Sequence, residues 1–169
     1  MRCFVAAWPD APARVALASL SDELRQRIEY QRATRADDLH LTLAFIGNLD
    51  DDVAFDLAGA ITKLRFEPIA WQLNTLGFFE EAGVLWAGAA LQTSPLLTRL
   101  ATRVRALLDA AGVTYDRKPL APHITLLRGV KSFSTEKIDP ICWRIESVAL
   151  YRSAPALDSS RSRYACVKR

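Results

Sequence analysis

His-x-Thr occurs twice in this sequence, as His40-Leu41-Thr42 and His123-Ile124-Thr125, and the two copies use every histidine in the chain. The motifs lie 83 positions apart, and the same offset aligns much else. Ala6-Ala7 falls on Ala89-Ala90, Pro12 on Pro95, Leu17-Ala18 on Leu100-Ala101, Leu24 on Leu107 and Thr42-Leu43 on Thr125-Leu126. Ala and Leu are abundant enough to match by chance, so the His, Thr and Pro matches carry the weight. Self-similarity at one fixed offset is the signature of a duplicated supersecondary unit. Each copy reads strand, Pro-started helix, linker, His-x-Thr strand. Two such lobes pack naturally about a pseudo-twofold axis, so that equivalent residues face each other where ligand clefts commonly form.

Periodicity supplies the elements between the motifs. Residues 2–8 read as a strand, and 12–30 as an amphipathic helix with Leu17, Leu20, Leu24 and Ile28 on one face. A strand over 39–46 stops at Gly47-Asn48, and a helix covers 51–65. Strands at 69–79 and 83–91 turn through Glu80-Glu81-Ala82-Gly83, and a helix over 95–111 ends at Gly112. Residues 122–128 form the second motif strand. Two further strands, near 142–152 and 162–168, are joined by a Ser-rich turn. Together these predict a single domain over residues 1–169, made of two pseudo-symmetric lobes. The run Asp50-Asp51-Asp52, after a strand and before a helix, reads as an N-cap and first-turn charge rather than a metal cluster.

With 169 residues, half of them hydrophobic, the chain can bury a substantial core. Its net charge of +3, drawn mostly from arginine, favours an anionic ligand. Cys3, Cys142 and Cys166 are odd in number and widely separated, which predicts reduced, buried thiols rather than disulfides or a zinc site, and hence a cytoplasmic setting. No apolar run is long enough for a signal-peptide core or a membrane span. Nor is there a Gly-rich phosphate loop or a Gly-x-Ser-x-Gly elbow.

On a strand, alternate side chains share a face. His40 therefore projects beside Thr42, and His123 beside Thr125, while Leu41, Leu43, Phe45, Ile124 and Leu126 are expected to point into the lobe cores. Facing each other, the motifs give two titratable imidazoles and two hydroxyls around one cavity. This set suits phosphoryl chemistry. An imidazole with a pKa of about 6.5 serves as base in one form and as acid in the other near neutral pH. Thr hydroxyls can hydrogen-bond the non-bridging oxygens where charge is held in the transition state. Arg128 could add a charge-assisted contact, but strict alternation puts it on the wrong face, so its part requires the strand to end or bulge there. A lone strand histidine is more often structural, and Thr is simply a good strand former; two matched pairs reverse that balance.

These motifs, with Leu39, Phe45-Ile46-Gly47, Pro122 and Arg128 around them, resemble those of the 2H phosphoesterases. The chain is similar in particular to bacterial RNA 2′,3′-cyclic phosphodiesterases, also called 2′-5′ RNA ligases. The opening Arg2-Cys3-Phe4-Val5-Ala6, the segments Phe78-Phe79 and Val84-Leu85-Trp86-Ala87-Gly88, and Val148-Ala149-Leu150-Tyr151-Arg152-Ser153 with Tyr164 extend the likeness nearly end to end. The resemblance implies an α+β fold of two lobes, with antiparallel sheets lining a central cleft and helices outside. It implies hydrolysis of a 2′,3′-cyclic phosphate RNA end to a 2′-phosphate by a monomer with neither metal nor cofactor. It makes His40 the general acid and His123 the general base; the residues themselves leave that order open. Ala36-Asp37-Asp38 departs from the Pro-Glu-Asn-like lead-in of the family and adds negative charge near the cleft. Two other readings fit the motifs: a phosphodiesterase for another small diester, such as a 2′-5′ oligonucleotide or a cyclic nucleotide metabolite, and a non-catalytic module holding RNA ends.

Overall fold

The computed structural model describes residues 1–90, 94–153 and 162–168. The Ser-rich turn expected before the last strand, and the end of the strand expected over 83–91, lie outside the described residues. In chain order the elements are β1 (Arg2–Ala7), α1 (Ala11–Arg27), β2 (Arg32–Ala33), a 3₁₀ turn (Ala36–Asp38), β3 (Leu41–Asn48), α2 (Asp51–Thr62), β4 (Ile69–Phe79), β5 (Val84–Gly88), α3 (Pro95–Ala110), β6 (Ile124–Arg128), β7 (Glu136–Ile145), β8 (Ala149–Ser153) and β9 (Tyr164–Cys166).

The helices start and stop where local chemistry dictates. The Asp10 carboxylate accepts the Ala13 N–H at 2.9 Å, and Pro12 occupies the first turn, where a missing N–H costs nothing. Ala13, Leu17, Ser21 and Leu24 form the buried stripe of α1. The helix ends three residues before the predicted limit because Ile28 swings to an extended conformation. At the far end of α3, Gly112 takes a φ of 66°; its N–H bonds the Asp109 carbonyl, and the Val113 N–H bonds the Leu108 carbonyl. This Schellman pattern needs a left-handed residue, and glycine adopts that conformation without strain. Asp50 is the N-cap of α2, and Asp51 pairs with the N-terminal ammonium at 3.9 Å.

All strand pairs are antiparallel, in the order β7-β4-β5-β6-β3-β1-β8-β9, with β2 attached to β6. Strands related by the 83-residue offset are placed symmetrically about the centre, β6 answering β3 and β5 answering β1, with β4 and β7 beyond them on one side and β8 and β9 on the other. The two four-stranded halves meet at one pair, Leu41 opposite Ile124. α1 packs on β7, α2 on β8 and α3 on β3, so α1 and α3 each lie on a strand of the opposite half. One apolar cluster includes Leu17 and Leu24 of α1, Leu100 and Val104 of α3, and Trp71 and Trp143 of the β4–β7 pair. Among the described residues no helix is long and apolar enough to cross a membrane.

Three expectations need correction. Where one strand was predicted over 142–152, β7 starts at Glu136 and a break at 146–148 separates it from β8. Pro140 concealed the start of β7. It sits in an irregularity where Leu73 pairs Ile141 but Thr75 pairs Lys137, and β7 is an edge strand that can spare a donor. Strand β3 runs through Gly47 instead of stopping there, because Gly47 at φ 95° lets pairing continue to Asn48 opposite Arg2. Of the three free thiols only Cys3 is buried; Cys142 alternates outward beside buried Trp143 and is exposed, and Cys166 is half-buried.

Candidate active site

A kink in each motif strand shapes the site. In β3, Val5 pairs Ala44 while Ala6 pairs Thr42, which leaves Leu43 as an extra residue. In β6, Leu85 pairs Leu127 while Trp86 pairs Thr125, which leaves Leu126 as an extra residue. Leu43 and Leu126 are equivalent across the 83-residue offset. A bulge inverts the alternation beyond it. Hence Arg128 returns to the face of Thr125, meeting the condition under which it could join the site. The same inversion corrects an expectation: Phe45, the equivalent of Arg128, is 39% exposed and lines the cleft instead of entering the core. Leu41, Leu43, Ile124 and Leu126 are buried as expected.

His40, Thr42, His123, Thr125 and Arg128 all border one cleft of about 430 Å³. Continuing the Leu41–Ile124 register by one residue sets His40 across from Thr125 and Thr42 across from His123. Each imidazole is held in the same way. His40 Nδ1–H donates to the Asp38 carbonyl at 2.7 Å, and His123 Nδ1–H donates to the Ala121 carbonyl at 2.7 Å. A carbonyl can only accept, so Nδ1 carries the proton in both rings and Nε2 is left to accept or donate.

Burial pushes both imidazoles below the ordinary histidine value, and the positive charge of Arg128 adds to that. The hydrogen bonds to the carbonyls oppose it. The His123 charge also lowers His40, so the two rings sense each other across the cleft. Aromatic rings supply much of the burial. Trp8 lies nearly parallel to His40, with centroids 4.7 Å apart and planes at 12°, while Tyr164 meets it edge-on at 5.0 Å. Trp8 is itself fixed by an Nε1–H bond to the Asp37 carbonyl and by stacking on Tyr151 at 3.9 Å. His123 instead meets Phe79 edge-on, with centroids 4.9 Å apart and planes at 88°.

The two rings differ in charge environment as well. Asp38, 3% exposed, accepts bonds from the Ser162 hydroxyl at 2.5 Å and the Arg163 N–H at 3.0 Å, and its negative charge raises His40. Its positional equivalent before His123 is Ala121. The aspartate that departs from the family lead-in is thus an internal clamp, and Asp37 faces Arg14 at 3.5 Å.

Arg2, Phe4, Arg32, Arg35, Arg163 and Tyr164 also line the cleft, and sequence reasoning had given none of them a place there. The offset could have found Phe45, since it aligns with Arg128. Nothing in the sequence places Arg163, which reaches the site on the C-terminal strand pair that completes the first lobe. Among the described residues no group of three or more His, Cys, Asp or Glu side chains is arranged to hold a metal ion.

Residues 9–155 match the family described as the 2′-5′ RNA ligase superfamily. The RNA 2′,3′-cyclic phosphodiesterase of Escherichia coli (strain K12) is 29% identical, over 94% of this chain and 96% of that protein. The RNA 2′,3′-cyclic phosphodiesterase of Archaeoglobus fulgidus is 29% identical, over 82% of this chain and 78% of that one. The crystal structure of E. coli LigT complexed with 3′-AMP superimposes with a TM-score of 0.78 at 29% identity, covering 99% of this chain and 95% of that one.

Proposed function

The chain belongs to the 2′-5′ RNA ligase superfamily, and from that membership and the geometry of its cleft we propose that it hydrolyses 2′,3′-cyclic phosphate ends of RNA to 2′-phosphates, using His40 as acid and His123 as base. The observation that carries this reading is the pair of imidazoles on one cleft, each anchored through Nδ1 to a backbone carbonyl two residues before it.

In this mechanism His123 Nε2 accepts a proton from water as the oxygen attacks phosphorus in line with the bond to O3′. The P–O3′ bond breaks as the new P–O bond forms, and His40 Nε2–H protonates the departing O3′. The ribose keeps the phosphate on O2′. One positioned acid or base contributes on the order of 10²–10⁴ in rate, so the pair supplies much of the acceleration. The Thr42 and Thr125 hydroxyls and the Arg128 guanidinium hold the non-bridging oxygens, where a preorganised donor is worth most. No step calls for a metal ion.

The two halves of the site are not interchangeable, and the difference favours His40 as the acid. An acid must hold a proton until the leaving group needs it. Asp38 lies beside His40 and raises its proton affinity, and the face of Trp8 attracts an imidazolium. His123 has no counterpart of the Asp38 charge, since Ala121 stands in that place, and no ring stacked parallel to it, since Phe79 lies at 88° to its plane.

The deciding experiment is incubation with a short RNA ending in a 2′,3′-cyclic phosphate, followed by analysis of the end group. A 2′-phosphate product is expected. A 3′-phosphate would overturn the assignment of the leaving oxygen, and an unaltered end would leave only a binding role.

A further inference from the structure

Strand β2 consists of two residues, and it sets one arginine against another. Arg32 pairs directly with Arg128, and Ala33 with Leu127. The register is fixed from both sides: the Gln31 N–H bonds the Arg128 carbonyl at 3.0 Å and the Thr34 N–H bonds the Leu126 carbonyl at 2.8 Å. Directly opposed residues of an antiparallel pair share a face, with Cα atoms about 4.5–5.5 Å apart, and like charges there repel. The Arg32 charge, second only to burial, lowers the proton affinity of Arg128. Among the described residues neither guanidinium forms an ion pair with a carboxylate.

The cleft around them is rich in positive charge. Arg2 and Arg163 also line it, while the one carboxylate among its described lining residues, Asp38, is occupied by Ser162 and the Arg163 amide. A cyclic phosphodiester carries one negative charge. Arg128 is the arginine whose field reaches both imidazoles, so it belongs to the reacting phosphate. β5 occupies one edge of β6, so β2 pairs along the other edge, the one β3 uses at Ile124, and Arg32 stands across from Arg128 four residues further along β6.

Resting on the function proposed above, we infer that Arg32, set against Arg128, forms a second phosphate subsite that receives the phosphate on the 5′ side of the terminal ribose. An anion placed there turns a repulsive cross-strand pair into two charge-assisted contacts. Its source is either the internucleotide diester of an RNA chain or the 5′-monophosphate of a single nucleotide. A nucleoside 2′,3′-cyclic phosphate without either group leaves the subsite empty.

The test compares kcat/KM for three probes: a nucleoside 2′,3′-cyclic phosphate, the same compound with a 5′-phosphate, and a dinucleotide ending in a 2′,3′-cyclic phosphate. One added charge-assisted contact predicts a preference of about 10- to 100-fold for a probe with the 5′-side phosphate. Arg32→Gln should reduce that preference toward unity, and Arg32→Lys should keep part of it, because a point charge remains. Preference for both phosphorylated probes, or for either alone, supports the subsite and identifies the source. Equal kcat/KM across all three probes, or a preference that survives Arg32→Gln, overturns it. A second readout needs no variant: log KM against log salt should be steeper for the dinucleotide by about 0.7, the increment for one further phosphate contact on a single strand, and equal slopes count against the subsite. Turnover of none of the three would instead sink the proposed function.

Discussion

Leu41 and Ile124, equivalent residues of the two repeats, are cross-strand partners. When a residue pairs antiparallel with its own equivalent, the local twofold axis passes between them. The rest of the site follows from that relationship. His40 and His123 become symmetry mates one step from the axis, Thr42 and Thr125 flank it, and the bulges at Leu43 and Leu126 fall in matching places. Asp38 and Ala121 are equivalent too, and each offers its carbonyl to the following histidine. Symmetry explains why two histidines meet; the side chains of Asp38, Trp8, Phe45 and Arg128 break it, and so let one ring act as acid and the other as base.

Because the acid and base act in one step, losing either should cost nearly as much as losing both. His40→Ala and His123→Ala are each expected to lower kcat by at least 10²–10⁴, with the double variant close to the worse single one. Single-turnover rates on an RNA with a cyclic phosphate end measure this. Multiplicative losses in the double variant would mean that the rings act in separate steps.

Both imidazoles are held below the ordinary value near 6.5, so the kcat/KM profile of the free enzyme should be a bell centred on the acid side of that value, not at neutrality. An anionic substrate stabilises the imidazolium, so the kcat bell should lie at higher pH. The same shifts govern stability. The unfolded chain binds more protons than the native one as pH falls below about 6.5, so that contribution is intact above 6.5 and is lost as pH falls through the native values. Asp38→Asn removes the charge that raises His40, so its basic limb should move further toward acid. Unchanged limbs in this variant would separate Asp38 from the acid.

The duplication was legible because two histidines in 169 residues leave little room for coincidence, and the offset then exposed every element that recurs in both halves. Elements unique to one half were harder. Arg32 and Ala33 form a strand too short to show a period, and Pro140 disguised the start of β7. Cleft-facing Phe45 was hidden by the bulge at Leu43, because an alternation rule carries no warning of an extra residue. Trp8 lies just past the end of β1, and only the tertiary fold lays it on His40.

That placement makes Trp8 a positioning residue with a measurable signature. A ring face over an imidazolium is worth about 0.5–2 kcal/mol, and 1.36 kcal/mol corresponds to one pKa unit. Trp8→Leu keeps an apolar cover but removes the face. It should lower the apparent pKa of the acid by up to about one unit, while Trp8→Phe retains most of it. Histidine NMR titrations distinguish this from a general loss of structure: His40 should move and His123 should not. Equal displacement of both resonances would contradict the assignment.

The proposed proton transfers run entirely through side chains of this chain, so turnover should be insensitive to EDTA and unaffected by added divalent ions. Loss on chelation, restored by one particular metal, would require a different mechanism.

Two glycines should respond to alanine in opposite directions. Gly129 follows Arg128 with a φ of 70°, and an added Cβ would lie 2.4 Å from Gln31 Cγ. An L side chain at that φ is strained, and displacing Gln31 pulls on the segment that holds Arg32 against Arg128. Gly129→Ala should therefore destabilise by about 1–3 kcal/mol, or roughly 2–10 °C in Tm, and weaken discrimination for a 5′-side phosphate. Gly59 sits on the exposed side of α2 with nothing within 4 Å of the added Cβ, so Gly59→Ala should stabilise by about 0.5–1 kcal/mol. Thermal unfolding of the two variants beside the parent measures both effects. A neutral Gly129→Ala with full discrimination would show that β2 is free to shift without disturbing Arg32.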